Sequence, residues 1–479
     1  MGKSTVSQGA ERAKDPEKEP KIQKVGLIDQ NDNFLSGSIK QYVNLPKNQN
    51  FVDGNMIQFL GQLTQKLRYR VRFNIEGSHS FKIKLLPHKN NMIYSGDEKN
   101  RNPNFNYQDQ EFDYTTDSNG EIIIEDDNLF VSPAGGDFFE LLATAANDKP
   151  KKSRKFQTQR MMYYVEVKMA GLTSIANTLE PFKKEFDKYN ILFHGLSNVS
   201  ISHMENIGEH DGSAFLNSVQ TAYNTSQGPA KSPFCVAIAY TDHLAVKDNN
   251  KRISVYNVVV GTSNDVTVNI EDRVTPTNTK RHALWNNIVT GEDWFVECYF
   301  VKNGGNAIVD KISINRSKCT PVQKSGYPIG YYDSVDIDVS NLDVETGTIT
   351  LIVNWVNRMR AGLSYGNTNI VAICTRAWWQ TIATNEQNQI MVHEVGHQLK
   401  MVTDGTGILP DKTTNYYNTS KGHVGNHCHS GIPTGQARYD SQSDGNLSKC
   451  VMYGATNGHI DFCLECAKAV KKLDLSNGV

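Results

Sequence analysis

His393, Glu394 and His397 stand in the run His-Glu-Val-Gly-His, and their types and spacing specify a chemistry. In a helix, residues four apart lie one turn apart on the same side, so both imidazoles can reach one metal ion. Glu394 is offset by one residue. It falls outside the pair as a ligand but within reach of a metal-activated water, whose proton a carboxylate can take and later return to a leaving amine. Zinc suits this set, because it binds neutral imidazole and brings the pKa of water to about 7.

A catalytic zinc needs a third protein ligand and an open position. Candidates follow downstream: His423, His427 and His429 in a His/Cys run, with Asp404 before it and Glu465 after it. Cysteines divide the same way. Cys428, Cys450, Cys463 and Cys466 fall within the segment 422–475, whereas Cys235, Cys298, Cys319 and Cys374 are scattered. Cys235 and Cys374 sit inside strand-like apolar runs and read as small core residues. The clustered four favour a metal site, with two disulfides as the alternative in an oxidising space. Cys463-x-x-Cys466 has no thioredoxin-like βαβ setting around it.

The order His393-Glu394-x-x-His397, His427-Cys428, Cys450-Val451-Met452, Cys463-x-x-Cys466 resembles the metzincin clan of zinc peptidases and, within it, the archaemetzincin family. The resemblance covers about residues 385–475. It implies that His427 completes the catalytic zinc site and that Met452 forms a Met-turn beneath it. It also implies that Cys428, Cys450, Cys463 and Cys466 hold a second, structural zinc. The chain departs from the pattern in three places. His427 lies thirty residues after His397 where the clan has six, with Thr403 at the usual ligand position. Lys400 replaces the usual glycine, and 21 residues separate the first two cysteines instead of a few. His423 is therefore a direct competitor for the third ligand, and His429, Asp404 and Glu465 stay open. The C-terminal block is also similar to metallopeptidase effectors of type VI secretion and related contractile injection systems, which implies a toxin effector loaded through another domain.

Elements must position these groups. Thr384 reads as an N-cap with Gln387 closing a capping box, giving a helix over 385–402. The strand 368–374 just before it is expected to be the edge along which an extended peptide aligns. Further upstream, Arg68–Ile75 alternates, with Tyr69, Val71, Phe73 and Ile75 on one face, and Phe81–Leu85 alternates again as its hairpin partner. The expected organisation is multidomain. A disordered tail (1–22) precedes a β-sandwich-like accessory domain (23–155), and an α+β zincin (metzincin-like) catalytic domain spans 156–479.

Composition narrows the partners. With 479 residues and a net charge of −1, the chain carries no field that favours nucleic acid or an anionic membrane. No apolar window is long enough to span a bilayer, so no membrane span is expected. The charged start lacks the apolar region of a signal peptide. The expected location is the cytoplasm, or beyond it by a route that reads no signal peptide. The expected activity is zinc-dependent hydrolysis of a protein or peptide substrate, with an injection apparatus as a further partner of the N-terminal domain. Two rivals remain: a peptidoglycan peptidase or amidase, and a non-catalytic protein whose zinc sites only brace the fold.

Overall fold

The computed structural model describes residues 19–29, 31–37, 39–42, 52–53, 56–57, 67–88, 111–125, 128–129, 131, 138–172, 175, 179–204, 207–208, 213–227, 235–262, 264–270, 283–284, 286–287, 292–323, 325, 332–365, 368–377, 380–399, 423–424, 427–428, 449–454, 456–464, 466–467, 470 and 475. Strands dominate these residues, with three α-helices among them.

The first core is built by alternation. β1 (Ile22–Leu27) begins one residue inside the expected tail. β2 (Ile39–Tyr42) follows, then β3 (Tyr69–Phe73), whose Tyr69, Val71 and Phe73 are buried while Arg70 and Arg72 face outward. β4 (Ser80–Pro87), β5 (Phe112–Thr115), β6 (Glu121–Ile124) and β7 (Phe138–Ala145) complete the set. β3 pairs with β1 and β6, whereas β4 pairs with β5 and β7. The expected β3–β4 hairpin is therefore not formed. The chain crosses from one sheet to the other, and Phe73 meets Phe81 with ring centroids 6.0 Å apart. Facing apolar surfaces bury more side chain this way than a lone two-stranded hairpin can.

β8 (Phe156–Met169) joins this core to the next. Its first residues pair with β2 and β7, and Phe156 is buried in the first core. From Arg160 onward it lies parallel to β9 (Ile191–Ile201), and from Tyr163 to Lys168 also to β10 (Cys235–Thr241). α1 (Leu179–Asp187) and α2 (Ser213–Gln227) lie in the connections. On α2, Phe215, Val219 and Tyr223 recur every fourth residue and are all fully buried.

Between β10 and the segment bearing His393 and His397 stands a third core that the sequence reading did not separate from the expected catalytic domain. β11 (Leu244–Val260) and β16 (Glu345–Arg360) form a long antiparallel ribbon, with Leu244 opposite Arg360 and Val260 opposite Glu345. Between them come β12 (Val266–Asn269), β13 (Phe295–Lys302), β14 (Cys319–Gln323) and β15 (Tyr332–Ile337). β13 extends the ribbon's sheet, and β12 and β14 flank β15 in a second one. Trp294, Cys298, Phe300, Cys319, Ile349, Leu351 and Val353 fill the space between them.

The chain then returns as β17 (Gly362–Tyr365) and β18 (Ile370–Cys374), giving a sheet ordered β17-β18-β10-β8-β9. All its pairs are parallel except β17–β18. Every residue of β10 and β18 is buried, as expected of parallel strands covered on both faces. The segment 368–374 is therefore interior. The edge is β17, which among the described residues pairs only with β18.

Candidate metal centre

α3 (Thr384–Gln398) carries the His-Glu-x-x-His run. Its N-cap is Ala383, not Thr384. Glu386 reaches back to accept the Ala383 N–H at 3.3 Å, and the buried Gln387 amide instead donates to the Ile382 carbonyl at 2.9 Å. The described helix ends at Gln398 with Leu399 as its C-cap, and 400–402 lie outside the described residues.

His393 and His397 converge as the one-turn spacing dictates, their Nε2 atoms 3.0 Å apart. His393 donates from Nδ1 to the Val451 carbonyl oxygen at 2.7 Å, which fixes its tautomer and leaves the Nε2 lone pair facing His397. His427, from a short hairpin of β19 (His423–Val424) and β20 (His427–Cys428), completes the group. Its ring centroid lies 5.3 Å from His393 and 5.2 Å from His397, and one nitrogen from each of the three falls within 4.8 Å of the others. Burial holds the His393 and His397 imidazoles below their usual range, His397 well below with its two neighbours adding to the effect. Neutral imidazoles are the form that binds a metal. The backbone of His423 pairs with Cys428, but its side chain lies outside the described set, as do His429, Asp404 and Glu465.

Glu394 lies under the edge strand. A Cβ on Gly362 of β17 would stand 3.2 Å from Glu394 Cγ and 2.2 Å from Ile390 Cγ2, so only glycine admits α3 this closely. The Glu394 carboxyl is buried, which pushes it up to about 8, against the pull of the Arg360 guanidinium and a hydrogen bond from the Ser364 N–H. Gln398 then clamps the same strand. Its amide nitrogen lies 2.9 Å from Ser364 Oγ, 2.8 Å from the Tyr365 carbonyl and 3.0 Å from the Ile370 carbonyl.

Cys428, Cys450, Cys463 and Cys466 form a second cluster, all buried, their sulfurs within 4.8 Å of one another. Cys428 and Cys463 Sγ are 3.6 Å apart. A disulfide requires about 2.05 Å, whereas sulfurs 2.3 Å from a shared tetrahedral ion stand about 3.8 Å apart. The Cys463 and Cys466 N–H groups point at Cys450 and Cys463 Sγ, at 3.3 and 3.5 Å, a donor arrangement suited to thiolates. As bare thiols, Cys428 and Cys466 are held well above their ordinary range, the first mainly by burial and the second mainly by hydrogen bonding among the sulfurs. A cation is what such a cluster lacks to ionise. Both donor sets fit metal ions, three nitrogens in one and four sulfurs in the other.

Met452 is fully buried against Gly396 of α3. A Cβ on Gly396 would lie 2.4 Å from Met452 Sδ, so the glycine before His397 makes room for that side chain. Sequence reasoning missed the polar anchors around the site. Gln389 of α3 donates to Asn457 Oδ1 at 2.7 Å and accepts from the Gly458 N–H at 2.9 Å, while Asn457 donates to the Cys450 carbonyl at 3.1 Å. Glu185 of α1, its side chain fully buried, accepts from the Phe462 N–H at 3.3 Å and from Lys188 at 2.5 Å. Nothing in local sequence marks the long-range pairs, since Gln389 and Asn457 stand 68 residues apart and Glu185 and Phe462 277.

Set against known proteins, the chain matches no family model, and no curated sequence matches it. Among the described residues no helix is long and apolar enough to cross a membrane.

Proposed function

We propose that this protein is a zinc-dependent endopeptidase of metzincin type, with His393, His397 and His427 as catalytic ligands and the four cysteines as a structural site. The observation that carries the reading is the convergence of three imidazoles beside a buried glutamic acid and an antiparallel edge strand. Zinc, when bound, supplies Lewis acidity that polarises a carbonyl and acidifies water. The chain supplies the rest. Val451 orients His393 through its Nδ1 hydrogen. Glu394 takes a proton from the attacking water on a carboxylate oxygen and delivers it to the leaving nitrogen. In this reading β17, which among the described residues pairs only with β18, aligns an extended peptide whose side chains fall alternately up and down. The first-core sandwich, remote in sequence from these residues, is read as the docking module.

The test replaces Glu394 with Gln and follows cleavage of an unstructured protein and of purified peptidoglycan side by side. Loss of about 100-fold or more in rate with metal content unchanged supports the mechanism. Digestion of peptidoglycan alone moves the substrate to the cell wall, and undiminished cleavage by E394Q sinks the reading.

A further inference from the structure

We propose that the four-cysteine cluster assembles the three-histidine cluster, so that the thiolate site must hold its metal before the histidines can hold theirs. This rests on reading both clusters as metal sites.

Two of the three histidines take their positions from residues adjacent to the thiols. His427 directly precedes Cys428. Beyond the hairpin with His423–Val424, the described backbone link from this segment to the rest of the fold is Cys428 N–H to the Met452 carbonyl, at 2.8 Å. Cys428 therefore ties His427 to the cysteine cluster, through that bond and through a sulfur packed among the other three. His393 is oriented through the Val451 carbonyl, and Val451 stands between Cys450 and Met452. The turn bearing Val451 is fixed at one end by Cys450, and its own N–H donates to the Asp461 carbonyl at 2.9 Å, two residues before Cys463. The helix places the backbones of both His393 and His397, and Val451 adds the orientation of the His393 ring.

Releasing the sulfurs from a common ion removes the tie that keeps Cys428 against Cys450 and Cys463. The four sulfurs then lose the common ligand that gathers the segments bearing them, and those segments can separate. His427 leaves with Cys428, and Val451 shifts away from His393. What remains is the helix pair, His397 and a His393 whose ring has lost its Nδ1 acceptor, two ligands where three are needed. Coupling between sites is reciprocal in free energy, so filling either helps the other by the same factor. Order arises because the thiolate site, a closed sulfur tetrahedron whose binding is also local folding, fills at the lower metal concentration.

The experiment uses the full chain, stripped of metal and titrated with Co2+, whose thiolate complexes show a charge-transfer band that nitrogen ligands do not give. In the unaltered protein the first equivalent should develop the whole charge-transfer band and the second should add only ligand-field absorption. In C463S, affinity at the histidine site, measured by competition with a chelator, should fall at least tenfold although no histidine is changed. H397A should keep the first equivalent and its full band while losing the second. Histidine-site affinity in C463S within twofold of the unaltered protein overturns the proposal, as does a second equivalent that carries the charge-transfer band. If C463S does not fold, the order of filling in the unaltered protein decides alone. Uptake of a single equivalent by the unaltered protein, with the full band, refutes the histidine metal site instead.

Discussion

The Nδ1 hydrogen of His393 is held by the carbonyl oxygen of Val451 at 2.7 Å, across 58 residues of sequence. The bond ties α3 to the turn that also carries Cys450 and Met452, so ring orientation at one cluster is set by backbone belonging to the other. Disturbances to that turn should therefore register in the helix.

Gly396→Ala is the most local disturbance. The new Cβ would lie 2.4 Å from Met452 Sδ, and Met452 is fully buried with little room to yield. Overpacking of this kind costs about 1–3 kcal/mol. Urea denaturation of G396A should show a loss in that range, and pairing it with M452A should recover part of it, because the two side chains share one space. A G396A variant as stable as the parent would mean the turn is not seated against the helix.

Gln398→Ala removes a donor to the Ile370 and Tyr365 carbonyls, the second of which keeps Thr368 Oγ1 at 2.7 Å. Orphaning buried acceptors costs about 1–3 kcal/mol. If β17 aligns substrate, the variant should also raise KM more than it lowers kcat, since the strand moves while Glu394 and the histidines stay on their helix. Equal KM in both proteins argues that substrate does not use this strand.

Thiol labelling separates the two cysteine classes. With zinc present, a maleimide reagent should modify few thiols. After chelation, peptide mapping should find label at Cys428, Cys450, Cys463 and Cys466. Cys235, Cys298, Cys319 and Cys374, each no more than 2 % exposed in well-packed cores, should stay protected. Identical labelling before and after chelation would remove the case for a metal among the four sulfurs.

Acid should weaken the protein through Asp242. Burial alone would raise this carboxyl, but the hydrogen bond and charge of His243 and the Arg376 guanidinium outweigh it and hold the pKa at about 2. A depressed carboxylate contributes stability that is complete above its unfolded pKa of about 3.9 and disappears as pH falls through the folded value. Denaturation midpoints of the parent should therefore decline between about pH 4 and pH 2, and D242N should flatten that part of the profile. An unchanged slope in D242N places the acid sensitivity elsewhere.

Legibility in the sequence followed contact distance. The His393–His397 spacing needed only helix geometry, and the alternation of Tyr69, Val71 and Phe73 needed only strand geometry. Pairing partners were a different matter. β3 and β4 each alternate, but alternation does not say whether two strands lie side by side or face each other. The ribbon of β11 and β16 joins Val260 to Glu345 and Leu244 to Arg360, and neither strand announces the other. The edge went to β17 instead of β18 because burial of β18 on both faces depends on a neighbour that a single apolar run does not reveal. Gln398, Gln389 and Glu185 read as ordinary polar residues until their distant partners are in place.

β8 runs without interruption from the first core into the second, and at about 3.3 Å per residue its fourteen residues span about 46 Å. A module joined by such a strand cannot swivel as one on a flexible tether does. If the first core is the docking module proposed above, the bearing from it to the parallel sheet is built into the chain. Force applied to the sandwich would be carried straight along β8 into the middle of the parallel sheet, so extraction of one module should begin to unzip the other.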